Sequence, residues 1–228
     1  MQVEQIKDRL LETSGTARRI YGIKLTLKNG LTDQAKWFLF NREKLKFAIA
    51  LKEDGIVLDI GSYKGEFSEA VFARNNNLVF WLYEPISEFF EISHNRFKDN
   101  NRVLISQSAV SADGRDFEMR IDGLRSRKQE HNNFDSIPIT SVSIQKIFDS
   151  SKEFELLKMN IEGMEFECLE KLLSTKSLKK AKYLLIQFHN LDKNSLPALI
   201  RLREEFANDF YNVWKYDWMW ELWERKSE

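Results

Sequence analysis

The stretch VLDIGSYKGEF, residues 57–67, decides the reading of this chain. A short apolar run ends in an acid, Asp59. Two glycines four positions apart, Gly61 and Gly65, follow before a segment of helical pattern. That order suits the end of a buried strand turning tightly into a helix, because glycine adopts backbone angles closed to other residues and removes a side chain that would block a ligand. The spacing is D-x-G-x-x-x-G. It departs from the G-x-G-x-x-G of dinucleotide binding, in which bare backbone touches a pyrophosphate at a helix N-terminus. A carboxylate stands where a phosphate would sit, so a ligand with a cationic end is expected, its charge offset by Asp59. The structural alternative is a glycine turn with a capping acid.

Downstream, short apolar runs alternate with amphipathic segments. LVFWLY (78–83), VLISQS (103–108), ELLKMNI (155–161) and YLLIQF (183–188) are apolar without alternation, as strands covered on both faces are. EFSEAVFAR (66–74), ISEFFEISHNRF (86–97), MEFECLEKLL (164–173) and SLPALIRLREEFAND (195–209) carry apolar residues at helical spacing. DFEMRI (116–121) alternates and predicts a half-exposed strand, and YNVWKYDWMWELWER (211–225) an antiparallel strand pair. Upstream, TDQAKWFLFNREKLKFAIAL (32–51) reads as helix, with Thr32 or Asp33 as N-cap. Strands alternating with helices imply parallel βαβ units with right-handed crossovers. Ligands of such sheets sit outside the carboxyl ends of the strands, where the strand order reverses.

Function is therefore sought at the strand ends. On the first turn stand Asp59, Gly61, Ser62, Tyr63 and Gly65. Glu84, followed by Pro85, ends the second strand, where an acid accepts the two hydroxyls of a ribose. Ser108 and Ala109, beyond the third, leave room for a flat ring. The fourth delivers Asn160 and Glu162, with Gly163 opening the next helix and Glu165 available to cap it. His189, one of three histidines, follows the fifth.

Composition narrows the class. The chain has 228 residues, enough for one large domain with a buried core. Lys+Arg and Asp+Glu are both 35, so general attraction to nucleic acid or acidic membranes is not expected. Cys168 is the one cysteine, which excludes an intrachain disulfide and favours a reducing compartment. The start, MQVEQIKDRLLETSG, lacks the apolar core of a signal peptide, and no apolar run approaches the ~20 residues of a membrane helix. A cytoplasmic protein is expected.

Taken in order, VLDIGSYKGEF, WLYEP (81–85), ITSVSIQKIF (139–148), LLKMNIEGMEFECLEKL (156–172) and LLIQFHN (184–190) resemble the FkbM-type methyltransferases over residues 55–190. The resemblance implies a class I, S-adenosylmethionine-dependent O-methyltransferase. Its fold would be α/β and Rossmann-like, a mostly parallel seven-stranded sheet flanked by helices. Residues 53–228 would form the cofactor-binding domain and residues 1–52 an N-terminal helical extension. S-adenosylhomocysteine (SAH) would be the product, and a divalent metal an optional helper. Asp59, Gly61, Ser62, Tyr63, Gly65, Glu84, Pro85, Ser108 and Ala109 would bind the cofactor, and His189, Glu162 and Asn160 would serve catalysis. The acceptor expected is a sugar hydroxyl, in a nucleotide sugar or a surface-polysaccharide precursor, whose phosphates Arg125, Arg127 and Lys128 of the loop-like GLRSRKQEHNNF (123–134) would meet. Nucleic acid is not an expected partner; a second copy of the chain is. The alternatives are a non-sugar natural-product hydroxyl and a non-catalytic cofactor-binding scaffold. Three positions depart from the family pattern: Asn160 for Asp, Gln187 for Glu and Ser143 for Asp. Each removes a carboxylate that a metal site would use. The aromatic KYDWMWELWER (215–225) offers faces for sugar stacking or for packing.

Overall fold

The computed structural model describes residues 32–122, 125–128 and 136–227, and the side chains of 120–128 lie outside the description. The described residues fall into two compact units, divided between Leu45 and Lys46. In the first, helix α1 (Asp33–Leu39) starts at Thr32, whose hydroxyl accepts the Ala35 N–H at 3.2 Å. The helical pattern expected as far as residue 51 breaks early. Asn41 turns left-handed, with φ of 48°, and only a 3-10 turn over Arg42–Phe47 follows. A single left-handed residue ends a helix because it points the chain away from the axis.

The second unit alternates strands and helices as the apolar runs predict. Strand β1 (Ile56–Ile60) leads to α2 (Glu66–Phe72), β2 (Val79–Tyr83), α3 (Ser87–Phe97) and β3 (Val103–Ser106). Then come β4 (Ala109–Ser111), β5 (Phe117–Asp122), β6 (Arg125–Lys128), β7 (Ser136–Ile139) and β8 (Ser141–Ser143). Helix α4 (Ile144–Asp149), β9 (Phe154–Met159), α5 (Glu165–Ser174), β10 (Ala181–Gln187), α6 (Ser195–Asp209), β11 (Phe210–Lys215) and β12 (Trp220–Arg225) complete it.

The main sheet has seven strands in the order β11-β12-β10-β9-β1-β2-β3. Strands β3, β2, β1, β9 and β10 pair in parallel, and β12 runs antiparallel to both neighbours. The order reverses between β1 and β9, which puts a crevice outside their carboxyl ends. Residues 125–128, read as loop, form the strand β6, whose backbone pairs with β5 in a small antiparallel sheet, β6-β5-β7. Four consecutive polar residues carry no period-2 signal. The rest of GLRSRKQEHNNF lies outside the described residues.

One core ties this together: Leu58 and Ile60 of β1, Leu157 and Met159 of β9, Leu184 and Ile186 of β10, Leu169 and Leu172 of α5, and Leu202 and Phe206 of α6. All ten are buried. Each stabilises the fold by roughly 1.5–3 kcal/mol before entropy is counted. Trp223 joins this core edge-on to Phe206, with ring centroids 5.4 Å apart, and Trp220 is also buried. These two tryptophans pack rather than offer faces for stacking. No helix among the described residues is long and apolar enough to cross a membrane.

Candidate active site

The turn after β1 is built by backbone. The N–H groups of Gly61 and Ser62 both donate to the Tyr83 carbonyl, at 3.0 and 3.1 Å, which ties the end of β1 to the end of β2. Gly61 has φ of 73°, and a Cβ there would stand 2.0 Å from the Asn160 carbonyl oxygen. The neighbouring strand end by itself requires the glycine. Tyr63 is left-handed too, with φ of 53°, an unfavourable angle for a bulky residue. It is held by its N–H, which donates to Glu84 Oε2 at 2.9 Å, and by its ring, 4.3 Å from that of Phe89.

Asp59 sits beneath the turn. It is fully buried; Lys158 Nζ lies 2.7 Å from its Oδ1, and the Ser68 hydroxyl donates to its Oδ2 at 2.6 Å. Lys158 Nζ also donates to the Gly61 carbonyl at 2.7 Å. Asp59 therefore meets a cation of the protein, and the pair fastens the turn from beneath. Ser62 is buried as well, and Gly65 packs under α3, where a Cβ would meet Ser93 and Phe97 at 2.8 Å. Asp59, Ser62 and Gly65 are absent from the wall of the cavity described next.

A cavity of about 340 Å³ opens at the reversal of strand order. Of the expected cofactor residues, Gly61, Tyr63, Glu84, Pro85, Ser108 and Ala109 line it, together with Asn160 and Glu162. Ile86, Phe89 and Met119 add an apolar wall. Met119 belongs to the small sheet, which packs with Ile139 against Ile86, Phe89 and Ala109. Nothing in the alternation of residues 116–121 could reveal that this strand walls the site. Glu84 accepts from the N–H groups of Tyr63 and Ile86, at 2.9 and 3.0 Å. Burial raises its carboxyl pKa above the ordinary value, against the lowering effect of those two N–H groups and of Lys158.

The other wall is the sharp turn after β9. Glu162 and Gly163 are both left-handed, with φ of 53° and 110°, and a Cβ on Gly163 would stand 2.0 Å from Leu191 Cδ1. Asn160 Oδ1 is buried with no hydrogen-bond partner among the described residues. His189 follows β10, and its Nε2 lies 3.6 Å from Glu162 Oε2. Sequence reasoning passed over Glu165 as a cap. This fully buried carboxylate accepts the Gly163 N–H at 2.7 Å through Oε2 and the His189 N–H at 2.7 Å through Oε1. The same Oε1 lies 3.0 Å from His189 Nδ1. The signal was the second acid of E-G-x-E. What it reaches depends on a loop 24 residues later.

Arg125, Arg127 and Lys128 sit on β6 at the backbone positions opposite Asp122, Arg120 and Met119, and their side chains lie outside the description. Among the described residues, no group of three or more His, Cys, Asp or Glu is arranged to hold a metal ion.

The cavity suits the group that the strand-end residues imply: a buried acid beside an apolar wall matches a ribose next to a flat base, in a volume at the small end of ligand sites. A methyltransferase FkbM domain matches residues 59–214. No curated protein matches the chain in sequence. Among solved structures, a protein assigned as an rRNA methylase from Clostridium thermocellum superposes with a TM-score of 0.50 at 9% identity, covering 84% of this chain and 96% of that one. An assigned methyltransferase from Streptococcus mutans, in complex with SAH, gives a TM-score of 0.50 at 8% identity, covering 82% of this chain and 97% of that one. At such identities the two establish a common fold, that of the Rossmann-like class I methyltransferases. The chain belongs to the FkbM methyltransferase family, and its methyl donor is S-adenosylmethionine.

Proposed function

We propose that the protein is an O-methyltransferase acting on a sugar hydroxyl, in a nucleotide sugar or a surface-polysaccharide precursor. The observation that carries this reading is a pair of proton-accepting groups beside the cavity: Glu162 lines it, and His189, outside the lining, has its Nε2 3.6 Å from the Glu162 carboxylate. An alcohol is a poor nucleophile near neutral pH and needs a base, so a histidine–carboxylate set is suited to hydroxyl acceptors. When bound, S-adenosylmethionine supplies a methyl group on a sulfonium, which is displaced in line and leaves a neutral thioether. The chain's own work is then mainly positioning.

In this reading the Glu84 carboxylate accepts the ribose hydroxyls, and Ser108 and Ala109 border the base. Gly61, Tyr63 and Pro85 shape the remaining wall, on a turn that Asp59, Ser62 and Gly65 support from beneath. Asn160, with its Oδ1 lacking a partner among the described residues, orients the acceptor hydroxyl or the cofactor. His189 or Glu162 takes the proton. Arg125, Arg127 and Lys128 meet the phosphates of a nucleotide sugar.

The test is incubation with S-adenosylmethionine and a panel of nucleotide-activated sugars, with and without chelator, read by mass. A product heavier by one methylene is expected, and His189→Ala is expected to lose turnover. No product from free, lipid-linked or polymeric sugars, with the cofactor still bound, would overturn the reading in favour of a non-catalytic scaffold.

A further inference from the structure

We propose that Glu165 is the positioning residue of the reaction, a buried carboxylate that sets the tautomer and the proton affinity of His189. The inference rests on the reading of His189 as the base. Three contacts converge on one carboxylate. Glu165 Oε1 accepts the backbone N–H of His189 at 2.7 Å, so the loop after β10 is pinned to the start of α5. The same oxygen lies 3.0 Å from His189 Nδ1. A carboxylate only accepts, so in the neutral ring Nδ1 carries the hydrogen and Nε2 carries the lone pair. The third contact, from the Gly163 N–H to Oε2 at 2.7 Å, fixes the left-handed turn that carries Glu162.

The arrangement gives the wall a direction. Nδ1 faces the interior, where Glu165 is fully buried, while Nε2 faces Glu162, a residue of the cavity wall. A proton taken from an acceptor hydroxyl at Nε2 yields an imidazolium with a carboxylate on each side. The buried Glu165 carboxylate beside the ring stabilises that charge, since an anion close to a cation favours the charged form. The bonds balance: the hydroxyl O–H breaks, Nε2–H forms, and the oxygen takes the methyl group as the sulfonium becomes a thioether. Glu162 and Glu165, both from the β9–α5 segment, are charged groups in contact with the ring. Glu165 is the closer and the more buried of the two, with side-chain exposure of 0% against 27%.

The experiment needs no acceptor. The full chain, labelled with ¹⁵N-histidine and saturated with SAH, is titrated while long-range ¹H–¹⁵N spectra are recorded, the three histidines being assigned by single His→Gln variants. In the unaltered protein, neutral His189 is expected to be protonated at Nδ1. In Glu165→Gln, which keeps the shape but removes the charge, its protonation midpoint is expected to fall by about 1 pH unit or more. A neutral ring protonated at Nε2 in the unaltered protein overturns the proposal, and that result does not depend on how well the variant folds. So does an unmoved midpoint in a Glu165→Gln protein with a native circular dichroism spectrum. A purely structural pin would leave the midpoint where it is. If His189→Ala instead keeps full turnover while the tautomer is as expected, the base assignment fails and the positioning geometry stands.

Discussion

Lys158→Met should reveal how much of the cofactor turn rests on one buried ion pair. Lys158 Nζ lies 2.7 Å from Asp59 Oδ1 and donates to the Gly61 carbonyl at 2.7 Å, with both charged side chains almost wholly buried. Methionine preserves the stem and the volume. The Asp59 carboxylate is left with the Ser68 hydroxyl and no cation. Removing one partner of a buried pair typically costs about 3–5 kcal/mol, because the remaining charge is stranded out of water. That is a large fraction of the roughly 5–15 kcal/mol that holds a domain folded. With a urea slope near the upper end of about 1–3 kcal/mol/M, the midpoint should fall by about 1–1.7 M. The six tryptophans report the transition by fluorescence, and far-ultraviolet circular dichroism checks that it is a single event. The control is Asp59→Asn combined with Lys158→Met, which removes both charges and should recover most of the loss, since the two sites are coupled. A midpoint drop below about 0.3 M in Lys158→Met would refute the reasoning. So would additive losses in the double variant, since independent sites do not rescue each other.

Two further expectations follow from the same strand ends. Gly61→Ala should lose cofactor binding, measured by calorimetry, because its Cβ would stand 2.0 Å from the Asn160 carbonyl oxygen at φ of 73° and the turn must move; unchanged affinity would mean that the turn is not where the cofactor binds. Glu84→Gln tests linkage. Burial raises the Glu84 carboxyl pKa in the fold, so the proton favours the folded state. Stability relative to the glutamine variant should therefore rise as pH falls through that raised titration and be lost as pH rises through it. Urea midpoints that differ by the same amount from pH 4 to 8 would contradict it.

Much of this protein is legible in its residues. Uninterrupted apolar runs such as LVFWLY mark strands covered on both faces, and their alternation with helical segments leads to a parallel sheet with its site at the carboxyl ends. Glu84, Ser108, Asn160 and Glu162 follow from that argument, and all four line the cavity. The long helix after Thr32 did not follow, because one left-handed residue, Asn41, overrides an otherwise helical pattern. Strand β6 was hidden for the opposite reason: residues 125–128 have no apolar alternation and owe their pairing to β5.

The sequence by itself determines the alternation of strands and helices in the main sheet, the place of the cleft and several residues at its rim, since periodicity and strand-end chemistry are local. Only the tertiary structure decided which carboxylate does what. Asp59 and Glu84 are both acids ending parallel strands, yet one is neutralised by Lys158, 99 positions away, and the other lines the cavity. Glu165 reads locally as a helix cap and becomes the partner of His189 because β9 and β10 lie side by side in the sheet. The partner of a buried charge is set by which chain segments the sheet brings together, and spacing along the chain does not encode that.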